Sequence, residues 1–400
     1  MAPLPLAGVK VLDLTWVVVG PAAIRVLADF GATVIHVESG IKVDTARTVS
    51  PYKGGKPDPA MSVLSANMNA NKLGMQLNLS TEEGRGVVRR LVAWADVVTE
   101  SFTPGTMPAW GFDYESLKKI NPGIIMMSTC LCGATGPLAE FAGFGNLGAA
   151  LGGFVDYWGW PDRSPAGPAG AYTDYVAPRF IASSILAALE HRRRTGEGQR
   201  IDLSQAEAAM HFLSPAILRY GVDGVALPRA GNADPVMCPH GVFPCKGEEE
   251  WVAIACQSPA LWPRLAALIG EEATNPRFDT LLGRRRHSAE LDAVIAAWTS
   301  QLEDDEVERL CQERGIAAHA LTTSVEALAE PNLKDHFAWV QQSVMGSIPV
   351  ESPRIRLSRT PGSVRRPGPA LGEDNDHVLR EILGMGDEEI ANLAIAGALE

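Results

Sequence analysis

A chain of 400 residues, 46% hydrophobic and 20% charged, has room for two domains and a large core, which excludes a disordered or fibrous protein. A formal net charge of −12 opposes general binding to phosphate backbones, so nucleic acid is not an expected partner and a phosphate-bearing ligand needs a local site. The stretch Met1-Ala-Pro-Leu-Pro-Leu-Ala-Gly8 lacks the charged start and apolar core of a secretion signal, no apolar run reaches membrane-spanning length, and six cysteines are too few for a disulfide framework; a soluble, reduced, cytoplasmic protein is expected.

Val9–Thr15 reads as a strand, Pro21–Phe30 as a helix and Ala32–Glu38 as a second strand, a βαβ unit. Gly20-Pro21 at the first strand-to-helix turn suits a ligand crossing the carboxyl edge of a parallel sheet. The dinucleotide fingerprint G-x-G-x-x-G is absent there, so Glu38 is a weak candidate for a ribose-binding acid and a nicotinamide enzyme is disfavoured. Residues 39–66, rich in Gly, Pro, Lys and Ser, form a long surface excursion beside that edge. Asn71-Lys72 then precedes a strand over Met75–Leu79, and Ser80-Thr-Glu-Glu83 is a capping box opening a helix to about Trp94. Asp96–Glu100 and Gly123–Thr129 are further strands, and this alternation implies an α/β fold with a mostly parallel sheet covered on both faces.

The Gly-rich run Gly143-Phe-Gly-Asn-Leu-Gly148 continues through Trp158-Gly-Trp160, two tryptophans best read one by one as core filling. Next comes Gly170-Ala-Tyr-Thr-Asp174-Tyr-Val-Ala-Pro178-Arg179. Proline has no N–H and its ring clashes with the carbonyl four residues back, so the helix is expected to start at Pro178. That places Asp174 on the turn before it, open to a substrate and within reach of backbone amides. A carboxylate so placed can serve as a nucleophile; the plainer reading is a turn acid that only supports the helix. The helix runs to about Arg194, with cations in its last turn and Gly196 just beyond.

Gln199–Leu203 is a strand, and Ser204-Gln-Ala-Glu207 a second capping box. Strand-like segments Gly241–Lys246 and Glu250–Ala255, with helices to about Arg314, mark a smaller α+β domain over residues 225–325. Residues 1–224 are the first part of the large domain; residues 326–400 complete it through a Pro/Arg-rich return, Pro349–Gly368, and helices over Asp374–Leu383 and Asp387–Ala396. Cys238-Pro-His240-Gly-Val-Phe-Pro-Cys245 has ligand-type residues in no familiar zinc spacing, so no metal is expected.

Several of these segments, in order and spacing, resemble the class III CoA-transferases, the family that also holds formyl-CoA transferases and 2-methylacyl-CoA racemases. The resemblance spans nearly the whole chain. It rests on Val11-Leu-Asp-Leu-Thr15 with Gly20-Pro21, Leu27-Ala-Asp-Phe-Gly-Ala-Thr-Val-Ile-His-Val-Glu38, Asn71-Lys72, Phe102-Thr-Pro104-Gly105, Leu186-Ala-Ala-Leu189 with Arg193-Arg-Thr-Gly-Glu-Gly-Gln199, and Leu371-Gly-Glu-Asp-Asn375. It implies a Rossmann-like large domain built from both ends of the chain, plus the small domain, in an interlocked homodimer. Acyl-CoA and an organic carboxylate would be the substrates, with no permanently bound cofactor.

By the same resemblance Asp174 is the nucleophile and passes through an aspartyl-CoA thioester. Val17 and Val18 line the first turn, Phe102 stacks on adenine, and Ser39, Leu77, Ser101 and Gly105 are the other positions that meet CoA. The chain departs from the family where Ser39, Ser80, Ala109 and Ala142 align with basic phosphate contacts, which weakens charge-assisted binding. Lys42, Arg47, Lys53 or Lys56 would supply that charge instead, or a paralogous partner subunit would carry the full CoA site. Phe144 aligns with the racemase histidine and cannot carry a proton, so transfer is favoured over racemisation; His211 and His240 are plainer as structural residues. The tyrosine and tryptophans at Tyr157, Trp158 and Trp160 favour a bulky acceptor.

Overall fold

The computed structural model describes residues 3–168 and 170–400. The chain divides into two compact units, one formed by Met1–Val155, Gly167–Leu227 and Asp335–Glu400, the other by Asp156–Ala166 and Pro228–Lys334.

The larger unit is built on six parallel strands, β1 (Lys10–Leu14), β2 (Thr33–Glu38), β3 (Leu73–Gln76), β4 (Val97–Glu100), β5 (Ile125–Cys130) and β6 (Arg200–Ser204), in the order 3-2-1-4-5-6. That order is the doubly wound one, with its topological switch between β1 and β4, where ligands of such sheets bind. Strand alternation sends Leu12 and Leu14 to one face and Val11 to the other. On the first face the helix Glu82–Trp94 contributes Val87, Val88, Leu91 and Val92, and the C-terminal segment contributes Val378, Leu379 and Leu393. On the second, the helix Val19–Asp29 and the 24-residue helix Tyr172–Thr195 contribute Ile24, Leu27, Ile181 and Ile185. Thr81, one residue later than the expected Ser80, caps the helix over Glu82–Trp94 by accepting the Gly84 N–H; Ser204 caps its own helix through the Glu207 N–H, as its spacing predicts.

The segment Leu371-Gly-Glu-Asp-Asn375 has a plain physical role. β3 is an edge strand, and Asp374 and Asn375 accept its Gly74 and Gln76 N–H groups at 2.7 and 2.8 Å. Asn71, with φ 65°, donates to Asp29 at 2.6 Å and accepts from the Arg365 N–H at 2.7 Å, tying the C-terminal return to the first helix. A short antiparallel hairpin, Phe337–Gln342 paired with Gly346–Glu351, leads into the return and takes in its first residues, Pro349–Glu351.

Beside the middle of β1 lies a buried ionic cluster. Asp13 and Lys72, both wholly inaccessible, pair at 2.7 Å; Asp13 also meets His36 Nδ1 at 3.1 Å and accepts the Thr15 and Thr99 hydroxyls at 2.5 and 3.0 Å. Burial opposes the Asp13 charge, but Lys72 and His36 hold its carboxyl well below the usual range.

The second unit carries three antiparallel strands in the order β7 (His240–Pro244), β8 (Trp251–Ala255), β9 (Ala317–Ala320), packed on the helices Trp262–Ile269, Ser288–Thr299 and Asp304–Gln312. Cys238, Cys245, Cys256 and Cys311 lie in its core, and burial pushes the Cys256 thiol up to about 12. His240 turns its Nδ1 to the Asn232 carbonyl at 2.6 Å. The tryptophans read as core are not core: Trp158 and Trp160 are 37% and 48% exposed. They lie on a short loop after one helical turn, and the Trp160 ring is flanked by Gly231 and by the Arg163 guanidinium 5.4 Å from its centroid.

Candidate active site

The helix carrying Asp174 begins at Tyr172, six residues before the expected start, and Pro178 is inside it. Pro178 removes one backbone bond to the Asp174 carbonyl. Burial of Ala177, Pro178, Ile181, Ala182, Ile185 and Ala188 along one stripe outweighs that loss, and the helix continues through the proline. Asp174 therefore belongs to the first helical turn and to the buried stripe, with 5% of its surface exposed.

Its environment is closed by glycines. A Cβ on Gly145 would stand 2.8 Å from the Asp174 carboxyl carbon and 2.9 Å from the Ala171 carbonyl oxygen, so only glycine admits the carboxylate there. Gly148 is pressed in the same way by Thr173 and by Leu131, the residue after β5, which ties this corner to the carboxyl edge of the sheet. Burial raises the Asp174 carboxyl to about 6, opposed by the Gly145 backbone N–H; among the described residues no cation contributes. A largely desolvated carboxylate in such a place can serve as a nucleophile. Phe144, just before Gly145, is 59% exposed.

The positions expected to meet CoA gather on the carboxyl ends of β1 to β4. Val17 and Val18 form the β1 turn, Ser39 follows β2, Leu77 follows β3, and Ser101, Phe102 and Gly105 follow β4. Ser101 Oγ accepts the Trp16 N–H at 2.8 Å, and the Phe102 ring packs edge-on between Trp16 and Trp110, with centroids 5.6 and 5.3 Å away. Leu77 is buried and Gly105 exposed, with φ 96°. Of the four candidate cations, Lys42, Lys53 and Lys56 are exposed, and Lys53 donates to the Ser347 carbonyl at 2.9 Å. Arg47 is not available: it is 5% exposed and grips both oxygens of Glu38 at 2.7 and 2.6 Å. Glu38 is thus a structural partner of Arg47, and burial of its charge is overcome by that bond, which lowers its pKa. His36, Glu38 and Asp44 stand close enough to suggest a cation site, but Arg47 already occupies Glu38 and the Val17 and Ala46 amides occupy Asp44.

The sequence reading missed two residues of this region. Gly145 sits within the noted glycine run, but only the Asp174 contact distinguishes it from its neighbours. Asp44 lies in the excursion and gives no local signal at all.

Comparison with known proteins places the whole chain. The family model described as CoA-transferase family III matches residues 6–375. The chain is 36% identical to the succinyl-CoA–D-citramalate CoA-transferase of Chloroflexus aurantiacus, over 98% of this chain and 97% of that one. It is 33% identical to the beta subunit of that organism's succinyl-CoA–L-malate CoA-transferase, over 98% and 97%. A crystal structure of a CaiB/BaiF family protein from Brucella suis superposes with a TM-score of 0.86 at 33% identity, covering 95% of this chain and 100% of that one.

Proposed function

Because the chain belongs to CoA-transferase family III and is an enzyme of that class, with CoA thioesters as substrates, we propose that Asp174 carries the CoA as a covalent thioester between a succinyl-CoA donor and a short dicarboxylic acceptor. The observation that carries this reading is the Asp174 carboxylate itself, buried, raised to about 6 and opposed only by a backbone amide.

Asp174 attacks the donor carbonyl; the C–S bond breaks, giving a mixed anhydride and CoA thiolate. The thiolate attacks the Asp174 carbonyl and expels the donor acid, leaving an aspartyl-CoA thioester. The acceptor carboxylate then attacks that thioester carbonyl and frees CoA thiolate, which takes the acceptor acyl group from the new anhydride and restores Asp174. The reaction consumes no net proton or electron. Each tetrahedral oxyanion needs amide donors, and the Gly145 backbone N–H, which bonds the Asp174 carboxyl, is one such donor beside the reacting carbon. The names of the two Chloroflexus relatives support succinyl-CoA as donor and a hydroxy-dicarboxylate as acceptor.

Incubation with succinyl-CoA followed by a hydroxylamine quench is expected to convert Asp174 to its hydroxamate, read by peptide mass spectrometry. Modification elsewhere, or none with a donor that supports turnover, would refute the assignment.

We also propose that the enzyme works as an interlocked homodimer, or beside a paralogous subunit as in the malate enzyme. The helix Ser214–Asp223 buries none of its residues, yet Ile217, Leu218, Tyr220 and Val222 are 47%, 65%, 62% and 82% exposed. Native mass spectrometry of active protein is expected to show an oligomer; a fully active monomer would overturn this.

A further inference from the structure

The β1 turn contains an unusual backbone. Among the described residues, three other than glycine have positive φ, namely Val17, Asn71 and Glu249, and only Val17 is β-branched, with φ 70°. Asparagine tolerates that region through its short polar side chain, whereas a valine there is a genuine outlier that its surroundings must enforce.

The enforcement comes from Asp44. Its two oxygens accept the Val17 N–H at 2.9 and 3.2 Å, and the first also accepts the Ala46 N–H at 3.0 Å, which fixes the carboxylate on the 3-10 turn Thr45–Arg47. Asp44 is wholly inaccessible. The preceding amide, Trp16 N–H, is likewise turned inward, to Ser101 Oγ at 2.8 Å. Two successive amides are thus held by side chains from separate segments, and the chain leaves this grip directly into Val18 and the helix Val19–Asp29, whose first-turn amides have no intrahelical partner. The excursion over residues 39–66 therefore does more than pass over the surface: through Asp44 it sets the direction of the turn at the topological switch.

We propose that Asp44 is a positioning residue for acyl-CoA, holding Val17 in its left-handed conformation so that the Val17–Val18 turn is shaped for the ligand before it arrives. This rests on the reading that the turn meets CoA. Preorganisation of this kind is expressed in binding of the donor, with little effect on the chemical steps at Asp174. The direction of the Asp44 shift agrees: burial raises its pKa against the Ala46 and Val17 hydrogen bonds, so the site spends a buried carboxyl on this turn.

The test is steady-state kinetics of the full-length enzyme with succinyl-CoA, on Asp44→Ala, Asp44→Asn, Val17→Gly, the Asp44→Ala/Val17→Gly double variant, and Val18→Asp as an independent probe of the turn. Asp44→Ala is expected to raise KM for succinyl-CoA about tenfold with kcat within about twofold, and Asp44→Asn, which keeps one acceptor oxygen, about threefold. In the Val17→Gly background the effect of Asp44→Ala shrinks to less than about twofold, because glycine adopts positive φ unaided. A full tenfold effect persisting with Gly in place of Val17, or a fall in kcat with unchanged KM, overturns the proposal. If Val18→Asp raises KM and neither Asp44 variant does, the proposal fails while the CoA reading stands; if none of the three changes KM, the CoA reading itself fails. Should Asp44→Ala not fold, Asp44→Asn and its combination with Val17→Gly decide the same question.

Discussion

Asp174→Asn is expected to abolish CoA transfer and at the same time to make the folded protein more stable at pH 8. The loss of activity, at least about a thousandfold in kcat, follows if the side chain forms the covalent intermediate, since an amide cannot take its place. The gain in stability follows from the proton. Burial disfavours the charge of the folded carboxyl and raises it to about 6, from an ordinary 3.8 in the unfolded chain. A raised folded pKa means that the native state binds the proton more tightly. The stability linked to that proton is present in full below pH 3.8, declines as pH rises to about 6, and is absent above it. Two units bound the effect at about 3 kcal/mol, and the imperfect fit of an amide leaves about 1–2 kcal/mol in practice.

The advantage of the variant is therefore expected at pH 8 and not at pH 3.5, and thermal unfolding at both pH values measures it. In the wild type, kcat/KM for succinyl-CoA is expected to rise with pH and level off above about 6, as the free carboxylate forms. A variant that keeps its activity and is less stable than wild type at pH 8 would return Asp174 to the plainer reading of a turn acid that supports the helix.

The second large effect concerns Lys72. Removing its ammonium as Lys72→Met leaves Asp13 ionised in a site that water does not reach, with His36, two hydroxyls and the Thr15 amide as its remaining partners among the described residues. Breaking a buried pair in this way costs about 3–5 kcal/mol, a large share of the 5–15 kcal/mol typical of a folded domain. Urea denaturation reads the loss. Adding Asp13→Asn removes the stranded charge and is expected to recover more than half of it, so the double-mutant cycle separates an ionic cost from lost packing. A single-variant loss below about 1 kcal/mol, or no recovery in the double variant, would mean that the pair does not hold this part of the sheet.

The parallel sheet was legible because its central strands are buried on both faces and punctuated by capping boxes and glycines; β1, β2, β4 and β5 could all be placed from local pattern. Pro178 misled because the rule against interior proline is a local energy, while the helix start was decided by six buried side chains packing elsewhere. Trp158 and Trp160 misled for a related reason: hydrophobicity gives no address, and a loop can present an indole as readily as a core can hold one. Asp174 could be singled out before any geometry, but its confinement by Gly145 is a contact across 29 positions of chain and leaves no trace in either neighbourhood. The same holds for Asp44 on Val17 and Lys72 on Asp13, pairs joined only by the fold.

One core serves both ends of the chain: Leu12 and Leu14 pack in the same cluster as Val378, Leu379, Leu393 and Ala398, and the edge of β3 is finished by Asp374 and Asn375. On a ribosome this imposes a waiting time. At about 5–20 residues per second, making 400 residues takes about 20–80 s, and for most of that interval this face of the nascent sheet has the helix Glu82–Trp94 but lacks the part of its cover that Val378, Leu379, Leu393 and Ala398 supply. Residues 228–334 emerge as a contiguous block and can assemble earlier, whereas the first strand made is among the last to be sealed. The stretch left waiting longest thus includes the very strands whose carboxyl ends carry the positions expected to meet CoA.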